Sequence, residues 1–248
     1  WEDASNKVAY GRRRHYLEGR QLDGVMNYPL RTAILDYLTG GDALYFRTAM
    51  ETLRENYPPE AFASLMNFLG THDTERILTA LGCRSRPESA DERAVYRLTP
   101  EERTRGLALE RLAAAILYAF PGSPMLYYGD EAAMEGFEDP FNRRTFPADA
   151  EDSPLLPWYR LLGQCRRRVP ALRRGELRFI RAQGAALAFS RVCAQGALLC
   201  LVNRGETPET FHCPWSGGAA DLLGGCRAET ENGTLTCTLP PLSAAWLC

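Results

Sequence analysis

The pattern of apolar residues changes once along this chain, near Gly175, and that change limits the folds open to it. Before it, helical periodicity alternates with short apolar runs. Residues 22–28, 63–69 and 125–128 read as strands; residues 30–38, 42–55, 75–81, 99–120 and 154–168 read as helices. Gly40-Gly41 ends the first helix and Pro58-Pro59 the second. Thr99, Pro100 and Glu102 form a capping box with proline at the first helical position. Such alternation predicts parallel strands joined by crossover helices, an α/β fold. After the change, residues 177–182, 185–192, 197–203, 209–213, 219–223, 234–239 and 244–247 read as short strands between Gly, Pro, Asn and Thr turns. They predict a small antiparallel sandwich, with 169–174 as the junction.

Polar clusters follow all three strands of the first part: Asn27-Tyr28, His72-Asp73 and Asp130-Glu131. Barrel and doubly wound folds gather their chemistry at such strand ends. The most informative is Phe68-Leu69-Gly70-Thr71-His72-Asp73-Thr74, which closes the apolar run 62–69. There a His and an Asp side by side can bind a hydroxyl-rich ligand and set negative charge against a developing cation. The competing reading is a turn in which Asp73 or Thr74 caps a helix beginning near Glu75.

The chain has 248 residues, is 45% hydrophobic and carries a formal net charge of -2. That supplies a sizeable core and argues against nucleic acid or an anionic membrane as partner, since both need a basic surface. Lys7 is the one lysine among the basic residues, and Arg166-Arg167-Arg168 is expected to be a solvated helix end. No apolar stretch is long enough to span a bilayer. The chain opens at Trp1 and its first Met is Met26, so the natural start is expected upstream. The 8 Cys form no metal-ligand spacing. From Cys193 onward they fall about one per strand, which fits small buried thiols of a reduced, cytoplasmic protein; a disulfide-stapled secreted module is the minor alternative. His15 and His212 have no partner pattern and are expected to be ordinary surface or packing residues.

Five segments share a family order and spacing: Trp1-Glu2-Asp3-Ala4; Gly24-Val25-Met26-Asn27-Tyr28-Pro29; Leu69-Gly70-Thr71-His72-Asp73-Thr74; 121–131, from Pro121-Gly122-Ser123-Pro124 to Gly129-Asp130-Glu131; and Asp139-Pro140-Phe141-Asn142-Arg143-Arg144. In these the chain resembles the α-amylase superfamily of glycoside hydrolases, most closely its neopullulanase, cyclomaltodextrinase and maltogenic amylase group. The resemblance implies the C-terminal part of a (β/α)8 TIM barrel over residues 1–170, followed by an antiparallel β domain over 171–248. It implies retaining hydrolysis of α-glucosidic bonds in α-glucans, maltooligosaccharides or cyclodextrins, with one carboxylate as nucleophile and another as acid and base. Asp73 matches the third carboxylate, the transition-state stabiliser, and His72 the residue that hydrogen-bonds hydroxyls of the same sugar. Asp139 and Arg143 match a sugar-contacting pair, though a structural ion pair is as good a reading of the residues alone. Tyr28 stacks on sugar or packs in the core or loop; Trp1 flanks the cleft. Asp130 and Glu131 become loop-shaping residues. Thr71 stands where the family often has Asn; the neopullulanase-like group usually carries a small hydroxyl residue there.

The nucleophile and acid/base are expected ahead of Trp1, so this chain is expected to be a C-terminal fragment, inactive alone. No cofactor is expected, calcium staying open for the rest of the parent protein, and a homodimer is compatible with the resemblance. The alternative function is a barrel homologue that lost catalysis and serves as a carbohydrate-binding or scaffold protein.

Overall fold

The computed structural model describes residues 16–248 and, ahead of them, the backbone of two short paired strands, β1 (Val8–Ala9) and β2 (Arg12–Arg13). The Trp1-Glu2-Asp3-Ala4 motif and His15 lie outside the described residues. Next, α1 (Tyr28–Leu38), α2 (Ala43–Asn56) and α3 (Pro59–Ala63) lead into β3 (Met66–Phe68). Then α4 (Ile77–Gly82), α5 (Ala90–Val95) and α6 (Pro100–Ala119) lead into β4 (Ser123–Met125). β3 and β4 pair in parallel, and Met26 makes a parallel bridge to Met66 on the other edge of β3. Three adjacent parallel segments with helices between them are the expected crossover arrangement.

The strands are shorter than their apolar runs. The run 22–28 contributes only the bridge at Met26, because Asn27 is already a helix cap: its Oδ1 accepts from the Leu30 N–H at 3.1 Å, and Tyr28 opens α1. Phe62 belongs to α3, which Pro59 starts, and the run 125–128 pairs over Ser123–Met125 instead. α6 has the predicted capping box, Thr99 Oγ1 accepting from Glu102 N at 3.2 Å and Glu102 Oε2 from Thr99 N at 3.0 Å. It is buried on most faces and crosses α4 closely; a Cβ at Gly106 would sit 3.2 Å from the Gly82 Cα.

A 3-10 turn (Ala150–Asp152), α7 (Leu156–Arg168) and α8 (Pro170–Arg174) follow. The expectation for the Arg166 run needs correction. Arg167 and Arg168 are exposed, but Arg166 folds back half-buried and donates to the carbonyls of Tyr118, Phe120 and Gly122.

The last part is a sandwich of β5 (Glu176–Gln183), β6 (Ala186–Cys193), β7 (Gly196–Asn203), β8 (Glu209–Pro214), β9 (Ala228–Glu231), β10 (Thr234–Leu239) and β11 (Ser243–Leu247). Four strands pair antiparallel in the order β11-β7-β6-β5 and three in the order β8-β10-β9. Alternating residues of β8 and β10 (Phe211, Cys213, Leu235, Cys237) fill the space between the sheets, as period-two patterning requires. The other face of the larger sheet packs on the helices through Phe46, Phe120, Phe179 and Phe189, edge to face at 6.0–6.2 Å. Both parts therefore share one apolar core.

The segment 219–223 is not a strand. The Asp221 carboxylate accepts from the N–H groups of Leu223, Gly225, Cys226 and Trp246, replacing ladder bonds by a side-chain-built turn; one bridge to Leu247 remains. All eight cysteines are free thiols, four buried and four half-buried.

Candidate functional site

The carboxyl ends of β3 and β4 carry the predicted polar clusters. Beyond β3, residues 70–74 form a tight turn. Thr71, buried, accepts the Asp73 N–H on its Oγ1 at 3.1 Å, while its own N–H donates to Thr74 Oγ1 at 2.9 Å. The turn needs an oxygen acceptor two residues before Asp73, and Thr supplies it as Asn would. This explains in physical terms how Thr71 can stand at that position. Asp73 and Thr74 cap nothing: the N-cap of α4 is Arg76, which has no side-chain cap bond. The helix-cap reading of the motif is overturned.

With that role gone, His72 and Asp73 project outward. His72 Nε2 lies 3.2 Å from Asp73 Oδ1, and each side chain is 60% exposed. Asp73 borders a cavity of about 1030 Å3 whose walls include Tyr28, Tyr37 and Tyr45. Tyr28 meets Phe68 edge-on at 4.7 Å, so one side of its ring packs in the core while the residue stays half-buried at the cavity. Asp139 and Arg143 form a two-bonded pair, Arg143 Nε to Asp139 Oδ1 at 3.0 Å and Nη2 to Oδ2 at 3.1 Å, both well exposed. They do not line the cavity, so the structure brings Tyr28 and Asp73 together there and sets this pair apart on its own loop.

Of the groups that pin the turn from beneath, the sequence points only to Asp130, as a loop-shaping residue. Arg76 is fully buried and donates through Nε to Asn142 O at 2.8 Å, through Nη1 to Tyr128 O, and to Asp130 Oδ1 at 3.2 Å. Its guanidinium lies 4.4 and 4.6 Å from the ring centres of Tyr127 and Tyr128. Asn142 Nδ2 donates to the carbonyls of Thr71, His72 and Thr74 at 3.2, 2.9 and 2.7 Å. Gly70 makes room, since a Cβ there would stand 2.8 Å from Asp130 Oδ2. Arg31 from α1 holds the strand end itself, Nε donating to Leu69 O at 2.7 Å. Asp130 is thus a structural acid under the turn, and Glu131 accepts the Gly129 N–H at 2.9 Å. Asn142 stands inside one of the family motifs without a role assigned to it, and no local pattern marks Arg76. Elsewhere, His212 is exposed and meets Thr236 Oγ1 at 3.2 Å. Among the described residues no group of three or more His, Cys, Asp or Glu could hold a metal ion.

Burial outweighs the attraction of Arg76 and lifts the Asp130 carboxyl from 3.8 to about 7. Glu110 on α6, also buried, is raised in the same sense by burial and then by Asp130. A raised folded pKa means that between the two values the folded state holds a proton the unfolded state has released. Asp130's contribution to stability is therefore complete below about pH 4 and is lost as pH rises toward 7. Urea melts of the chain and of Asp130→Asn at pH 4.5–8 should show a stability difference that shifts against the parent across that window. The opposite slope would mean that the ion pair with Arg76 dominates.

A family profile described as alpha amylase, catalytic domain, matches residues 5–154, and one described as a domain of unknown function, DUF3459, matches residues 167–246. The chain is 32% identical to neopullulanase 2 of Thermoactinomyces vulgaris, covering 97% of this chain and 38% of that protein. It is 30% identical to an amylopullulanase of Thermoanaerobacterium saccharolyticum, covering 93% of this chain and 20% of that one. Among solved structures, the native debranching enzyme of Nostoc punctiforme aligns with a TM-score of 0.79 and 26% identity, covering 96% of this chain and 50% of that one. The chain spans well under half the length of these curated relatives and half of the solved protein.

Proposed function

Because the chain belongs to the α-amylase family of glycoside hydrolases, we propose that it supplies one side of the active site of an enzyme that cleaves α-glucosidic bonds in α-glucans or cyclodextrins with retention. The observation that carries this is the pinned turn at the end of β3. It presents Asp73 at the cavity, where among the described residues its side chain pairs with His72 alone. A fixed carboxylate of that kind favours an oxocarbenium-like transition state over the neutral substrate. His72 binds hydroxyls of the same sugar, and Tyr28 offers it a ring face. Asp139 and Arg143 grip a sugar further along through acceptor oxygens and a fork of donors. Trp1 belongs to the same reading.

In this reading residues 1–170 are barrel and 171–248 the β domain. The nucleophile and the acid/base belong to the rest of the barrel, so the 248-residue chain does not turn over by itself. The relatives' names, neopullulanase and amylopullulanase, support the substrate class without fixing the linkage.

The test compares this chain with a protein joining it to the remaining barrel strands, on starch, pullulan and cyclodextrin side by side. The joined protein should release sugars first seen as the α-anomer by NMR, and the chain alone should release none. Turnover by the chain alone overturns the division of carboxylates. Binding of maltooligosaccharide without turnover by the joined protein means the homologue that lost catalysis.

A further inference from the structure

A second cavity, of about 570 Å3, opens where α3 and Pro121-Gly122 meet the first strand of the β domain. Ala63 and Gly122 precede β3 and β4, so it lies at the amino ends of those strands, opposite Asp73. Its walls hold five arginines (Arg54, Arg173, Arg174, Arg178 and Arg191) against a single acid, Glu176. In a chain with a formal net charge of -2, that local excess is not a reflection of composition.

The arginines are poorly compensated. Arg191 is 1% exposed and donates through Nε and Nη1 to the carbonyls of Gly175 and Ala119; among the described residues no carboxylate pairs with it. Arg166, just behind the wall, also meets only carbonyls among the described residues, one of them Gly122 O at the cavity. Burial and then the repulsion of Arg166 lower Arg191 to about 9; burial and then Arg173 lower Arg166 to about 10. Both stay charged at neutral pH, at a cost that a counter-charge would relieve. Arg178 pairs with Glu176 at 3.3 Å, while Arg173 and Arg174 stand exposed at the end of α8 with no ion pair among the described residues.

We propose that this cavity is a binding site for a small phosphorylated molecule, held through its dianionic phosphate. Several guanidinium forks around one concavity match phosphate oxygens in charge and geometry. The volume exceeds what a bare phosphate fills, and Pro59, Phe62 and Pro121 give an apolar wall for a carbon skeleton. The site is independent of the catalytic reading, since no residue is shared with the other cavity.

The experiment is calorimetric titration of the 248-residue chain with inorganic phosphate and with glucose 6-phosphate, each against sodium chloride at matched ionic strength. Melting temperature is followed in parallel. Both phosphates should bind saturably and raise the melting point, with the sugar phosphate tighter. Arg173→Ser/Arg174→Ser should weaken binding about tenfold or more, and Arg178→Glu should do so independently. Neither change touches the core, so the unliganded melting point should hold. A preference for inorganic phosphate narrows the ligand to the free ion. Shifts no larger than those from chloride, or undiminished binding in both variants, overturn the proposal.

Discussion

Replacing Arg76 with Met should destabilise the folded chain by about 3–5 kcal/mol at pH 8. The guanidinium is fully buried and is, among the described residues, the cation within ion-pair distance of Asp130, which is itself 2% exposed. Met fills much of the volume but leaves the carboxylate without its partner, and the carbonyls of Asn142 and Tyr128 lose their donor as well. Asp130 can escape the penalty only by holding a proton, and it already titrates near 7 with Arg76 beside it. Without Arg76 its pKa moves higher still, so the penalty should shrink as pH falls to 5 and grow above 7. For a chain of this size the loss at pH 8 corresponds to a drop of roughly 6–20 °C in melting temperature. The double variant Arg76→Met/Asp130→Leu should recover most of it, since removing both charges avoids the unpaired one. A loss below about 1 kcal/mol at pH 8 would show that the pair does not anchor the turn.

The same pair marks the boundary of what the sequence discloses. β10 is readable to the residue because its alternate side chains face a core, and α6 because Thr99, Pro100 and Glu102 write its start locally. β9 is not readable: Ala-Glu-Thr-Glu has no apolar pattern, and the segment is a strand only because β10 lends it hydrogen bonds. The reverse holds at 219–223, apolar enough for a strand but diverted by one carboxylate, Asp221. The site divides in the same way. His72 and Asp73 are adjacent in a motif and end up adjacent at the surface. Their support comes from Asp130 and Asn142, which join Arg76 across separations of 54 and 66 residues. No local spacing encodes that, and Asp130 beside Glu131 at a strand end looks more like a catalytic acid than Asp73 does. Burial separates them: Asp130 is walled in with an arginine, and Asp73 faces open space.

In an enzyme that joins this segment to the rest of its barrel, Asp73→Asn should lower kcat by about 10²–10³-fold and leave the melting temperature within a degree or two of the parent's, about ±0.5 kcal/mol in stability. The two halves of that expectation have separate causes. The side chain is 60% exposed and among the described residues pairs with His72 at 3.2 Å, while the turn is held by the Thr71 hydroxyl, the Asp73 backbone N–H and Asn142. Asn keeps the shape and the backbone bond, so the fold has little to lose. Asn does not keep the charge. With no sugar present that charge is screened by water; a sugar filling the cavity expels the water, and the same carboxylate then acts at low effective dielectric. Its attraction grows as positive charge develops at the anomeric carbon, so the loss should appear in kcat with KM nearly unchanged. Asp139→Asn should show the converse, a raised KM at nearly constant kcat, because a grip on a sugar away from the reacting bond is the same before and during reaction. If Asp73→Asn keeps kcat within about threefold of the parent while Asp130→Asn abolishes it in a folded protein, the roles assigned to the two aspartates are reversed, and burial is the wrong guide to which carboxylate meets the sugar.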